Sequence, residues 1–319
     1  MAEVKEIDLS VIIVNRNTAR LLIDCLDHVF GSELGQRPEV IVVDNGSTDD
    51  SVERVRTGYP DVMIIEAGRN LGFAAANNRA AGQASGDFFL LVNTDAMLEP
   101  DCAGKLLKLM REHTEIGMVG PQLLNYNGSL QTSFEAIPTL ATECLNRSLL
   151  KRLFPKRYPG KYSGFTEPTP VEALIGAVMM IKRKAFEQIG GFDEDYFFFL
   201  EETDLAVRMS KNGWKVVHEP RAQAFHLQGA TAKENEAAAR IEFYRSRYLF
   251  FRKHYGRVAN YILALSKMVN LTLNMTFLSL LRIVTLGKLS SADKKFQRTV
   301  KVWKWHLNGC PEGIGLQRF

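Results

Sequence analysis

The chain has 319 residues, 46% hydrophobic and 24% charged, with a formal net charge of +4. That length exceeds one ordinary domain, and the composition excludes wholesale disorder, a collagen-like repeat and a multi-span membrane protein. The charge is uneven: residues 240–319 carry 15 Lys and Arg against 3 Asp and Glu, whereas residues 1–239 carry 25 against 33.

Four scattered cysteines (Cys25, Cys102, Cys144, Cys310) form no CxxC pair. They point to neither a zinc site nor a disulfide framework, and a reducing compartment is expected. The opening MAEVKEIDLS has no apolar h-region, so no signal peptide is expected.

In chain order, Leu9–Val14 is a β-branched run expected as a strand buried on both faces. Thr18–Phe30 has helical apolar spacing, and Glu39–Val43 is a second buried strand ending in the loop signature Asp44-Asn45-Gly46-Ser47. A helix over Ser51–Thr57, a strand over Val62–Glu66 and an Ala-rich helix over Phe73–Gln83 follow. Phe88–Val92 is a fourth strand, ending at Asn93-Thr94-Asp95. Repeated β-α-β units predict an α/β fold, with a mostly parallel sheet flanked by helices and ligands at the carboxyl ends of the strands.

Beyond Pro100 the pattern loosens. Asp101–Glu112 reads as a helix, Met118–Leu124 as a strand, and 125–170 as long loops. Val171–Ile181 returns to strand character, Lys184–Ile189 is a short helix before Gly190-Gly191-Phe192-Asp193, and Glu201–Asn212 is a helix. Residues 236–256 and 258–286 read as two further helices.

On the second of these, Lys267, Asn270, Asn274, Arg282 and Thr285 fall within an arc of about 120°, and the remaining arc carries Ile262, Leu263, Leu265, Met268, Leu271, Leu273, Met275, Phe277, Leu278, Leu280, Leu281 and Ile283. An interior Lys and two Asn argue against a spanning helix. The apolar arc, followed by Lys288, Lys294, Lys295, Arg298, Lys301, Trp303, Lys304 and Trp305, predicts a helix lying in a membrane interface. The alternative is a helix packed on the body or in a homodimer interface.

A dinucleotide site would need GxGxxG after the first strand, and a P-loop would need GxxxxGK[ST]; neither occurs. Phosphate is then handled most simply by a metal, and Asp95 at a strand end suits Mg2+ or Mn2+ held by one or two carboxylates. Asp44 ends a neighbouring strand, where a carboxylate can accept an imide N–H of a uracil or thymine ring. Both aspartates have a plainer alternative as turn formers or helix caps.

The series SVIIVNRN, VVDNGSTDDS, RNLGFAAANN, LLVNTDA, GAVMMIKRKAFEQIGGFDEDYFFFLEETDLAVRM and AFHLQGAT, in order over residues 8–231, resembles family 2 nucleotide-sugar glycosyltransferases of the GT-A fold. The likeness is greatest to their rhamnosyltransferase branch. It implies a GT-A catalytic domain over 1–235, to which the charge and helical pattern of the remaining residues add a basic, helical, membrane-associating region over 236–319. It also implies a nucleotide pocket from Val14, Asn15, Arg16, Asp44, Asn70, Asn78, Asn93 and Thr94, and a metal site from Asp95 and His226. Glu202 falls at the catalytic-base position with Glu201 beside it, and Gly176, Ala177, Phe199 and Asp204 border the sugar and acceptor.

Two departures stand out. Glu202 is one methylene longer than the usual Asp, and Arg16 stands where many relatives carry a stacking aromatic. The expected enzyme is an inverting, metal-dependent transferase, its donor dTDP-rhamnose or else a UDP sugar of the GlcNAc, galactose or galactofuranose type. Its acceptor is expected to be a saccharide, free or lipid-linked, met at the cytoplasmic face of the inner membrane. The alternatives from another class are a nucleotide-binding protein without catalysis and a nucleic-acid binder. Against the latter, the basic residues accompany an apolar helix and no nucleic-acid module is evident.

Overall fold

A computed structural model describes residues 8–145, 147–155, 164–227, 236–285 and 290–316. The elements in chain order are β1 (Leu9–Asn15), α1 (Ala19–Phe30), β2 (Glu39–Asp44), α2 (Ser51–Gly58), β3 (Met63–Glu66), α3 (Phe73–Ala81), β4 (Phe88–Asn93) and β5 (Ala96–Leu98). Next come α4 (Cys102–Glu112), β6 (Ile116–Leu124), β7 (Phe134–Glu135), α5 (Leu140–Cys144), α6 (Arg147–Leu153), β8 (Thr169–Pro170), β9 (Ala173–Leu174) and β10 (Val178–Lys182). The last are α7 (Arg183–Gln188), α8 (Glu201–Lys211), β11 (Lys215–His226), α9 (Glu236–Val284) and α10 (Ser290–Leu307).

The main sheet runs β3-β2-β1-β4-β10-β6-β11-β5, with β8 on β11. Its first four strands are parallel. β10 runs antiparallel to both neighbours, and β11 is parallel to β6. The sheet is therefore mixed and mostly parallel. Alternation along β1 explains the two layers. Val11 and Ile13 pack with Leu22, Leu26 and Leu106 on one face, while Ile12 packs with Ala76, Leu205 and Met209 on the other. A strand covered on both sides has no polar face, which is why these segments read as continuous apolar runs.

Register aligns the strand ends that matter. Asn15 pairs with Asp44, and Val14 with Asn93, so the carboxyl ends of β1, β2 and β4 lie side by side. The 171–181 strand is split: β9 and β10 are separated by a turn at Ile175, Gly176 and Ala177. The long strand β11 had no clear sequence pattern, because Pro220 sits in a register shift between Glu219 and Gln223. The region 125–170, expected as loops, contains β7, α5, α6 and β8 among its described residues.

The two C-terminal helices join as α9, broken at Gly256, which takes φ 86° and ψ 177°. On the second segment the polar arc turns partly inward. Lys267 bonds Glu143 at 2.8 Å and Arg282 bonds Asp293 at 2.5 Å. The opposite arc faces out, with Val258 73%, Leu265 68%, Leu273 63%, Phe277 62% and Ile283 70% exposed. Lys288 lies outside the described residues.

Candidate active site

The crevice is built from three strand ends and a hairpin. Asn15 Nδ2 donates to Asp44 Oδ1 (3.3 Å) and to Ser47 Oγ (3.1 Å), while Ser47 N donates to Asp44 Oδ2 (3.0 Å). Thr18 Oγ1 donates to Asn15 Oδ1 (2.8 Å) and lies 3.0 Å from Thr94 Oγ1. One chain of hydrogen bonds thus crosses the ends of β2, β1 and β4. Asp44 is buried there, and Val14 and Arg16 flank it half-buried. Arg16 Nε is buried without a hydrogen-bond partner among the described residues, an unspent donor at the mouth of the crevice.

Asn45, not singled out from sequence, organises this corner. Its Nδ2 donates to Asn70 Oδ1 (3.0 Å) and Gly72 O (3.2 Å), and its Oδ1 accepts from Leu71 N (2.7 Å). Asn70 therefore shapes the loop before α3. Asn78 sits farther along α3, where its amide clamps Phe192 through N and O at 2.9 Å each and also reaches Glu194.

Asp95 and His226 lie together, with Asp95 Oδ1 3.5 Å from His226 Nε2. Gln131 sets the ring. Its Nε2 donates to Asn125 Oδ1 (3.0 Å) and His226 O (3.1 Å), so its Oε1 is the atom 2.7 Å from His226 Nδ1. An amide oxygen only accepts, so Nδ1 carries a hydrogen and the ring is turned with Nε2 toward Asp95. A carboxylate oxygen and an imidazole nitrogen 3.5 Å apart are a donor set that could hold a divalent cation. Among the described residues no cluster of three or more His, Cys, Asp or Glu exists. Two protein ligands match Mg2+ or Mn2+, which keep waters and share substrate phosphates.

The same hairpin leads to the carboxylates. Ser133 O accepts from Ile175 N (2.9 Å), and Glu135 pairs with Ala173 in the β7–β9 ladder. Ala177 O accepts from Asn93 N at 2.9 Å, and a Cβ placed on Gly176 would stand 3.7 Å from the Glu202 carboxyl carbon. Asp95 and Glu202 thus border one edge, joined through Asn93, Ala177 and Gly176. Burial, and then the charge of Glu135, push the Glu202 carboxyl up to about 7. Burial and the Glu202 charge raise Glu201 well above the usual carboxylate range. Glu201 Oε2 is buried without a partner among the described residues.

Phe199 is half-buried, with its ring edge-on to Phe198 at 4.6 Å. Asp204 is interior at 1% exposure, its oxygens taken by Arg208 Nε (2.6 Å) and His254 Nε2 (2.7 Å). It acts as a structural carboxylate of α8. Gln131 and Glu135 lay in a stretch read as loop. The alternation Gln131, Ser133, Glu135 was the available sign of an extended segment with one polar face.

The sequence pattern of Glycosyl transferase family 2 matches residues 10–190, and that of the N-terminal domain of galactosyltransferase matches residues 157–228. An N-acetylglucosaminyl-diphospho-decaprenol L-rhamnosyltransferase of Mycobacterium tuberculosis is 30% identical over 238 residues, covering 69% of this chain and 77% of that protein. A low-salt glycan biosynthesis hexosyltransferase of Haloferax volcanii is 25% identical, covering 76% and 75%. A mannosyltransferase from Pyrobaculum calidifontis, solved with GDP-Man and Mn2+, has the same fold: TM-score 0.55 at 17% identity, over 96% of this chain and 87% of that one.

Proposed function

The chain belongs to glycosyltransferase family 2, and from that premise we propose that it transfers L-rhamnose from dTDP-rhamnose, with inversion, to a polyprenyl-diphosphate-linked saccharide in cell-surface polysaccharide synthesis. The rhamnose donor is favoured by the Mycobacterium tuberculosis relative; a UDP sugar is the second reading, kept open by Arg16 in place of a stacking aromatic. Residues 1–235 form the catalytic domain and 236–319 the membrane-facing helices.

The observation that carries this is the facing pair Asp95 Oδ1 and His226 Nε2, 3.5 Å apart, on the crevice edge shared with Glu202. Asp44, with Asn15 and Thr94, holds the base and ribose side of the donor. Asp95 and His226 would hold a divalent ion, which when bound supplies Lewis-acid stabilisation of the leaving diphosphate. Glu202 takes the proton from the acceptor hydroxyl, and a base tuned to about 7 works near neutral pH. Phe199 and Gly176 shape the acceptor side.

The proposed place at a membrane is supported by α9. At 100° per residue, Val258, Ile262, Leu265, Val269, Leu273, Phe277, Leu280 and Ile283 share an outward arc of about 140° that includes no charged residue. Thr272 and Thr276 on this arc return their hydroxyls to the carbonyls of Met268 and Thr272, at 2.9 and 3.0 Å. A face about 40 Å long whose threonine hydroxyls are spent on its own backbone is suited to lipid. The proposed enzyme sits peripherally on the membrane, on the cytoplasmic leaflet.

Calorimetry with dTDP, UDP and GDP, each with and without Mn2+, tests the site. Tight binding of dTDP that needs Mn2+ and is lost in Asp95→Ala, with the far-UV spectrum unchanged, is expected. Unchanged Mn2+-dependent affinity in Asp95→Ala would overturn the metal assignment, and a preference for UDP would overturn the donor.

A further inference from the structure

We propose that the first half of α9 braces the Glu201–Glu202 carboxylates, and that Ser246 is the positioning residue of that brace. The proposal rests on Glu202 acting as the base. Phe199 and Leu200, immediately before Glu201, take φ of 73° and 66°. L side chains seldom adopt this region, and two consecutive non-glycine residues hold it only when their surroundings over-determine it.

Three successive restraints do so. Phe197 O accepts from Phe73 N, at the start of α3, at 3.0 Å. The next carbonyl, Phe198 O, accepts from Ser246 Oγ at 2.7 Å. Leu200 O accepts from Asp204 N at 2.8 Å, opening α8. On the α3 side the approach is so close that a Cβ on Gly72 would fall 2.4 Å from Phe197 O.

Ser246 differs from three hydroxyls farther along its helix. Thr272, Thr276 and Ser279 each donate to the carbonyl four residues earlier. Ser246, at 1% exposure, instead donates to a carbonyl 48 residues away in sequence. Its helical neighbours reinforce the contact. Phe243 lies edge-on to Phe199 at 5.6 Å, and His254 holds Asp204 Oδ1 at 2.7 Å. Positions 243, 246, 250 and 254 share one helical face, so a single face of α9 touches the strained pair and the first turn of α8. Removing the Ser246 hydroxyl leaves the Phe198 carbonyl without this donor and frees the pair to relax, which rotates Glu201 and Glu202 off the acceptor.

The test compares wild type, Ser246→Ala, Ser246→Thr and Glu202→Gln, following nucleoside diphosphate release from dTDP-rhamnose, or from whichever nucleotide sugar the wild type turns over. Amide hydrogen exchange over residues 196–206 is read in parallel. Ser246→Ala is expected to lower kcat by about ten- to a hundredfold, the cost of a misplacement near 1 Å. The donor KM stays within about twofold, the acid limb of the pH profile moves, and exchange at 199–204 accelerates; Ser246→Thr restores these. Wild-type exchange and kcat in Ser246→Ala overturn the brace. Equal loss of nucleotide affinity in the Ala and Thr variants overturns it too, since that marks general damage. Full turnover by Glu202→Gln would instead sink the base assignment, and the exchange data would still decide the brace.

Discussion

At the scale of single residues, chemistry here is set by who shares a burial site with whom. Glu202 is one carboxylate in a group with Glu201 and Glu135, and burial plus like charge lift it to about 7. A base must be ionised to act, so the rate should fall as pH drops through about 7. Glu135→Gln removes a like charge and should move that limb to lower pH; a limb already in the ordinary carboxylate range, near 4.5, would contradict the shift. The stability sign is opposite to that of a salt-bridged acid. The folded chain keeps this proton longer than the unfolded chain, so Glu202's contribution is complete below about 4.5 and is lost as pH rises through about 7. Asp44, Asp95 and Glu202 stood out in the sequence because each lies at or just past a strand end, or opens a helix, inside a short motif. Asn45, Gln131 and Glu135 were not, since their partners are remote in sequence: Gln131 and His226 lie 95 residues apart.

Among the elements, α9 is the one whose role depends on its neighbours. Its two segments meet at Gly256, and both are tied to α5. Arg247 Nη1, before the break, and Lys267 Nζ, after it, reach Glu143 Oε2 at 2.9 and 2.8 Å. The Glu143 side chain is 2% exposed, with Arg247 at 11% and Lys267 at 14%. Removing the anion from such a site leaves two half-buried cations facing each other, at a cost of about 3–5 kcal/mol. Glu143→Gln should therefore lower the unfolding free energy obtained from urea titration by that amount without changing nucleotide affinity; an unchanged urea midpoint would show that the tie contributes nothing. Sequence periodicity revealed both helical segments and the break between them. It could not show that Lys267 points inward, because a charged residue in an apolar helix reads as a solvated one until its partner is placed.

At the scale of the whole molecule, an acidic catalytic body carries a basic, outwardly apolar tail. The exposed arc on α9 is flanked on α10 by exposed Lys294, Lys295, Lys301 and Lys304. Each Lys or Arg near an anionic bilayer adds about 1 kcal/mol, weakening with salt. Vesicles containing phosphatidylglycerol should float the wild-type protein at low salt. The double variant Leu265→Glu, Leu273→Glu should stay at the bottom of the gradient, folded because both side chains are already 68% and 63% exposed. Flotation of that variant would transfer the face to another partner, such as a second copy of the chain.

Local pattern by itself determined the α/β layering, the strand ends that border the crevice, and the family, because burial on both faces and short polar motifs are written in adjacent residues. Tertiary structure decided the rest. It oriented the histidine ring through Gln131, gathered Glu135, Glu201 and Glu202, and turned the apolar side of α9 outward. Each depends on a contact between segments far apart in the chain, where the strength of an interaction comes from distance and exclusion of water rather than from sequence spacing.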